Sequence, residues 1–127
     1  MELWRQSWRE DVAPRLSRAG LEAILEALRD DDERLIQDRS AIPHGRRQGD
    51  WQPEYEVEAA CAIGLAAWLG DGIRSVGEVI DYVSRFCGNR AGGDFVEWYD
   101  STQRADMRRF LLPEVRLSLR NRKESHP

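Results

Sequence analysis

The feature that most constrains the fold is an apolar run over residues 59–69 that contains no charged side chain. It is far shorter than the roughly 20 residues that a membrane-spanning helix requires, so we expect it to be buried inside the protein. Glutamates precede it at positions 54, 56 and 58, and carboxylates are favourable in the first turns of a helix. The sequence therefore predicts a central helix over about residues 54–69, apolar on nearly every side.

Two further helices are predicted around this central segment. Over residues 15–29, leucine and isoleucine recur at helical spacing on one face. Over residues 76–87 the same spacing follows Ser75 and Glu78, which have the pattern of a capping box. Gly70 lies between these segments and suits the left-handed residue that often ends a helix.

The remaining predicted boundaries come from glycine, proline and composition. Gly88 is well placed to end the helix before it, and Pro113 predicts a kink or break at Leu112 within the C-terminal helices. Residues 39–53 hold two prolines and two glycines and read as one long loop. Residues 121–127 read as a frayed tail.

Size and composition favour one folded unit. The chain has 127 residues, of which 41% are hydrophobic and 33% charged, which is too apolar for a disordered chain. We predict an all-α fold, with residues 1–127 forming a single compact bundle of five to six helices around the central helix.

The N-terminal residues 1–13 suggest an interaction surface. Trp4 and Trp8 lie one helical turn apart, and tryptophan is enriched in the hot spots of protein interfaces. A terminal segment carrying both could dock onto another protein or onto a second copy of this chain. The alternative is that both rings fold back and cover the protein's own core.

The predicted loop contains a candidate anion-binding site. His44, Arg46 and Arg47 flank Gly45, and two arginines could bind a phosphate or a carboxylate. The segment lacks the lysine and the Ser/Thr of a phosphate-binding P-loop. Solvated loop charges are the alternative.

Charge is distributed unevenly along the chain. The net charge is −4, but residues 1–100 are acidic and residues 101–123 are basic. Such a segment could contact a nucleic-acid backbone, and its candidate contacts are Arg108, Arg109, Arg116 and Arg120. The alternative is that the basic segment packs against the acidic part of its own chain.

The chain contains carboxylates, histidines and cysteines, but they do not form a recognised catalytic or metal-binding motif. Glu54 and Glu58 at helical spacing, together with His44, could bind a metal or serve an enzyme. If Glu58 is buried, it needs an arginine partner. The two cysteines, Cys61 and Cys87, fall on predicted core faces and are expected to be inert. We therefore assign no catalytic residue, metal ligand or cofactor.

A non-enzymatic helical protein that acts through protein–protein contacts is the first functional hypothesis. A nucleic-acid-associated accessory protein using the basic C-terminal helix is the second, and a carboxylate-based metal-binding or enzymatic protein is the third. The sequence shows no secretory signal and too few cysteines for a disulfide framework, so we expect a cytoplasmic protein with no membrane partner.

Overall fold

The computed structural model describes residues 1–45, 52–88 and 91–124 and is mostly helical with one two-stranded sheet. The α-helices are α1 (Leu3–Ser7), α2 (Arg18–Asp30), α3 (Ala62–Leu65), α4 (Val76–Ser84), α5 (Gly93–Ser101) and α6 (Arg104–Glu124). The strands are β1 (Ala41–Pro43) and β2 (Val57–Ala60). None of the helices in these ranges has both the length and the apolarity needed to cross a bilayer.

The chain begins with a helical segment of changing pitch. Helix α1 continues into a π-helical turn over Trp8–Val12 and a 3₁₀ turn over Ala13–Arg15. We call residues 3–15 the N-terminal helical segment. It packs against α5 and α6, so the N terminus is part of the folded body.

Helix α2 confirms the helix predicted over residues 15–29. The Ser17 hydroxyl oxygen accepts a hydrogen bond from the backbone N–H of Gly20 at 2.9 Å, which caps the first turn. Leu21, Ile24 and Leu28 are buried on one face, as their spacing predicts. The helix ends at Asp30 and is followed by Asp31, whose φ of 50° is left-handed.

The prediction of one central helix over residues 54–69 is wrong for residues 54–60. Residues 57–60 form β2, which pairs antiparallel with β1, so the predicted 39–53 loop also contains a strand. Val57 and Ala59 are buried, whereas Glu58 between them is exposed. That alternation is the two-residue period of a strand. The fold is therefore mostly helical, with a small sheet that the sequence did not reveal.

The second half of the predicted central helix is helical and buried, as expected. The Cys61 sulfur accepts a 3.5 Å hydrogen bond from the N–H of Gly64 at the start of α3, which continues as a π-helical turn over Ala66–Gly70. The whole stretch from Ala62 to Ala67 is buried, between α2 and α4.

Gly70 is the last residue of this helical stretch, but it does not have the left-handed conformation predicted for it. Its φ is not positive, so it is not a left-handed stop. Instead it lies directly against the backbone of α2, where a Cβ atom would come within 2.6 Å of the nitrogen of Gly20. Gly70 is required for close packing between two backbones.

Helix α4 confirms the helix predicted behind Ser75, whose hydroxyl oxygen accepts a 3.3 Å hydrogen bond from the N–H of Glu78. The helix ends at Ser84, slightly earlier than predicted, and a turn follows. Gly88 is left-handed in that turn, with a φ of 65°. Glycine is favoured in this conformation because it has no Cβ atom.

Helix α6 is continuous through Pro113, so the predicted break is wrong. Proline removes one hydrogen-bond donor from a helix. Pro113 and Arg109, the residue whose carbonyl loses its donor, are both exposed, and a carbonyl on an exposed side of a helix can accept from water. The helix also includes residues 121–124, and residues 125–127 of the predicted frayed tail lie outside the described residues.

Candidate functional site

Trp4 and Trp8 both lie inside the protein. Trp4 stacks on Trp98 of α5, with ring centroids 3.7 Å apart and planes 6° from parallel. Trp8 is fully buried, and its Nε1 donates a 3.0 Å hydrogen bond to the Ser118 hydroxyl oxygen. Both rings are buried in the protein's own core, which is the alternative that the sequence left open.

A buried carboxylate that the sequence did not reveal joins the N-terminal helical segment to α6. Glu114 is only 6% exposed and accepts hydrogen bonds from Arg9 at 2.7 and 2.9 Å. The Nε of Arg5 lies 3.4 Å from the same carboxylate. Hydrogen bonding to Glu114 raises the pKa of Arg9. Glu114 lies three residues after buried Leu111, and this helical spacing could have indicated from the sequence that Glu114 is buried.

Of the predicted anion-binding residues, His44 lies within the described part of the chain. His44 is exposed, and its Nδ1 lies 3.5 Å from Glu58 Oε1 across the sheet. Arg46 and Arg47 lie outside the described residues. Glu58 is exposed rather than buried, and because it belongs to β2, it shares no helical face with Glu54. Within the described ranges, no group of three or more His, Cys, Asp or Glu residues could hold a metal ion.

A cavity of about 80 Å³ lies where residues 38–40 meet α3, α4 and α5. Both cysteines line it, but burial raises the pKa of the Cys61 thiol to about 12. Burial also raises the pKa of Cys87, which is half-buried. Tyr99 beside them donates a 2.7 Å hydrogen bond to the carbonyl of Ile36. Thiols held in the neutral form are poor nucleophiles, so we do not assign a reactive cysteine to this cavity.

We expect Cys61 to resist alkylation in the folded protein. At about pH 8 a thiol with so high a pKa forms very little thiolate, and its burial also blocks the reagent. Mass spectrometry after iodoacetamide treatment should find Cys61 unmodified, Cys87 modified slowly, and both modified in urea. Rapid modification of Cys61 without denaturant would contradict this description of the cavity.

Asp100 at the same cavity is expected to make stability depend on pH. Burial raises the pKa of its carboxyl, although the N–H of Asp38 donates a 3.0 Å hydrogen bond to it. The folded protein therefore holds this proton more tightly than the unfolded chain, and stability falls as pH rises through that range. Asp100→Asn removes the charge and keeps an acceptor oxygen, so it should be more stable than wild type at pH 7.

Urea titrations of the wild type and Asp100→Asn at about pH 3 and pH 7 test this expectation. The advantage of the variant should disappear at the lower pH, where the wild-type carboxyl is protonated. Asp94→Asn, in the exposed first turn of the same helix, is the control and should not be stabilised. A variant advantage that is equal at both pH values would contradict the proposed charge effect.

Three of the six arginines in the basic C-terminal segment donate hydrogen bonds to the protein's own backbone. Arg104 donates to the carbonyls of Leu35 and Asp32 at 2.6 and 2.9 Å. Arg108 donates to the carbonyl of Leu28 at 3.0 Å, and Arg122 donates to carbonyls of the segment preceding α2. These arginines satisfy carbonyls at helix and turn ends. Arg108, a predicted nucleic-acid contact, is thus used within the fold.

The other predicted contacts lie together on the solvent side of α6. Arg109, Arg116 and Arg120 are all exposed and follow one helical face at i, i+7 and i+11. Arg109 lies 3.3 Å from Asp106. Arg116 and Arg120 have neither an ion pair nor a hydrogen bond with the side chains that the structure describes.

An apolar row runs beside these arginines on the same helix. Phe110, Pro113 and Leu117 lie at i, i+3 and i+7, and Phe110 is 40% exposed. The guanidinium of Arg109 lies 4.6 Å from the centroid of the Phe110 ring. We call these two rows together the outer face of α6; its members are Arg109, Phe110, Pro113, Arg116, Leu117 and Arg120.

The outer face of α6 is therefore the best candidate for a functional site on the described surface. It combines exposed arginines, two of which have no acidic partner among the described side chains, with exposed apolar atoms on one helix. Comparisons with protein-family models, with curated proteins and with solved structures found no match for the chain.

Proposed function

We propose that this chain is a single-domain, cytoplasmic helical binding protein that recognises an acidic surface of another protein through the outer face of α6. One observation carries the proposal: exposed arginines without acidic partners among the described side chains run alongside exposed Phe110. Arginine and aromatic residues are enriched at protein interfaces, and a row of like charge selects a partner of opposite charge.

A protein partner is favoured over nucleic acid by the size and setting of this face. Nucleic-acid affinity without base contacts depends on the number of phosphates neutralised, and three arginines supply few such contacts. The remainder of the chain is acidic, with a net charge of −4 overall, and repels a long polyanion. The row containing Phe110 and Leu117 would instead be buried against an apolar patch of a protein.

Affinity capture from the native host with a charge-reversed variant tests the proposal. Arg116→Glu/Arg120→Glu reverses two exposed charges on α6, whereas Arg29→Glu/Arg74→Glu makes the same change in net charge at exposed sites elsewhere. Mass spectrometry should identify a protein that the wild type and the control variant retain and the α6 variant loses, with or without nuclease. Circular dichroism checks that all three proteins are folded.

Two other outcomes would replace the proposal. A captured protein that is released by nuclease, together with electrophoretic mobility shifts lost in the α6 variant, would support the second candidate, nucleic-acid association. The exposed Arg116 and Arg120 also favour that candidate. Retention that is equal for both variants would show that the outer face of α6 is not the binding surface. A concentration-dependent increase in mass would identify a second copy of this chain as the partner.

A further inference from the structure

A groove of about 300 Å³ lies along the edge of the outer face of α6, between that helix and the N-terminal helical segment. Ala13 and Pro14 line it from one side, and Leu117 and Asn121 line it from α6. Leu117 belongs both to this groove and to the outer face, so the two surfaces are continuous. A space of this volume is at the lower end of the range for ligand pockets and is suited to one or two side chains.

The walls of the groove are held in place by contacts within the protein. Ser118, which also lines the groove, accepts the hydrogen bond from the buried Trp8 ring. The guanidinium of Arg9 is fixed by two hydrogen bonds to Glu114. Arg122 donates to the carbonyl of Ala13 at 3.0 Å and ties α6 to the opposite wall. A groove fixed in this way loses little conformational entropy when a ligand enters it.

The residues that line the groove indicate what kind of side chain it can bind. Ala13, Pro14 and Leu117 provide apolar surface, which favours an apolar side chain. The two ionisable side chains that line the groove are Arg9 and Arg122, and no acidic side chain among the described residues lines it. Glu114 balances the charge of Arg9, so Arg122 is the main source of positive charge in the lining. Arg116 and Arg120 lie on the adjoining outer face of α6, next in sequence to Leu117 and Asn121, and add exposed positive charge there. An apolar group with acidic neighbours is therefore complementary to the groove and its surroundings.

We propose that this groove receives one apolar side chain of the acidic protein segment that binds the outer face of α6. This inference rests on the proposed function and defines the partner more closely. The recognised segment carries a leucine-sized side chain flanked by Asp or Glu. The apolar side chain enters the groove, and the acidic neighbours contact Arg116 and Arg120.

Two synthetic peptides test the groove directly. Both consist of Asp and Glu around one central residue, which is leucine in the first peptide and alanine in the second. Fluorescence anisotropy at low ionic strength measures their affinity for the full-length protein. The leucine peptide should bind about tenfold more tightly, because its additional methylene and methyl groups leave water.

A variant that fills the groove provides the second measurement. Asn121→Phe places a large side chain in the groove and should reduce the preference for leucine to less than about twofold. Gln103→Phe is the control. Gln103 is exposed and immediately precedes α6. It lies 18 residues from Asn121, about 27 Å at 1.5 Å per residue, so the same substitution there should leave the preference intact.

The outcomes separate the groove from the proposed function. Arg116→Glu/Arg120→Glu should weaken both peptides to a similar extent, because it removes the charge and not the groove. If the two peptides bind with equal affinity and this variant weakens both, the proposal for the groove is wrong, but the proposed binding of an acidic protein surface is supported. Binding of neither peptide to the wild type overturns both. A leucine preference that persists in Asn121→Phe places the apolar contact elsewhere and overturns the groove.

Discussion

The Trp8→Ala variant is expected to unfold with a free energy about 3–5 kcal/mol below that of the wild-type protein. The Trp8 ring is fully buried, with its centroid 5.0 Å from that of Phe95. Its removal leaves a large cavity and deprives the Ser118 hydroxyl of its indole donor. Urea denaturation followed by far-UV circular dichroism measures the change.

Two neighbouring variants show which part of the Trp8 effect comes from burial. Leu3→Ala, at an exposed position of the same segment, should change the free energy of unfolding by less than about 0.5 kcal/mol. Trp8→Phe keeps an aromatic ring but loses the hydrogen bond, so it should fall between the two. If Trp8→Ala were as stable as Leu3→Ala, the N-terminal helical segment would not be part of the core.

The Gly70→Ala variant is expected to lower the free energy of unfolding by about 1–3 kcal/mol. The added Cβ would lie 2.6 Å from the nitrogen of Gly20 and 2.8 Å from the carbonyl carbon of Ala19. Both neighbours are backbone atoms of α2, so no side chain can rotate away. The helices must separate, and this disturbs the packing of Ala66 and Ala67 against α2.

Gly20→Ala is the informative comparison for this contact. The Cβ added there would meet the Cβ of Ala66 at 2.9 Å, so it is also crowded. However, Gly20 lies within α2, where alanine is favoured over glycine by about 1 kcal/mol. We therefore expect a smaller loss of stability than for Gly70→Ala in thermal denaturation. A Gly70→Ala variant that unfolds at the wild-type temperature would contradict the close packing of these backbones.

Local patterns in the sequence were sufficient to predict part of the fold. Apolar spacing predicted α2 and α4 because one face of each helix is buried, and such a face repeats every three or four residues. Ser75 caps α4 as predicted because a cap involves only residues within one turn. The burial of residues 62–67 followed from the absence of any charged group in that run.

The features that the sequence did not reveal depend on distant parts of the chain. Residues 54–59 alternate between glutamate and Tyr55, Val57 and Ala59, which is a strand pattern. We predicted a helix there instead, because glutamates are favourable in the first turn of a helix. The alternation could have identified β2, but its pairing with β1 is set by the folded protein. The contacts between Gly20 and Gly70, and between Arg9 and Glu114, likewise join residues far apart in sequence.

The exposed arginines of the candidate site could have been distinguished from the arginines that bind the protein's own backbone by their positions around a continuous helix. Arg104, Arg108 and Arg122 point to one side of a continuous α6 and bind the protein's own carbonyls. Arg109, Arg116 and Arg120 point to another side and remain exposed. The predicted break at Pro113 divided the helix and hid this difference. Which side faces the core depended on Met107, Leu111 and Val115, which are buried.

Charge exchange with the captured partner is the most direct test of α6 as the binding surface. Arg116→Glu/Arg120→Glu should weaken the affinity for the purified partner by at least about tenfold. Replacing the contacting acidic residues of the partner by lysine should weaken the wild-type complex by a similar factor. When the two reversed proteins are combined, binding should largely recover, because opposite charges again face each other. Losses that simply add, without recovery, would contradict a direct contact between these arginines and an acidic partner.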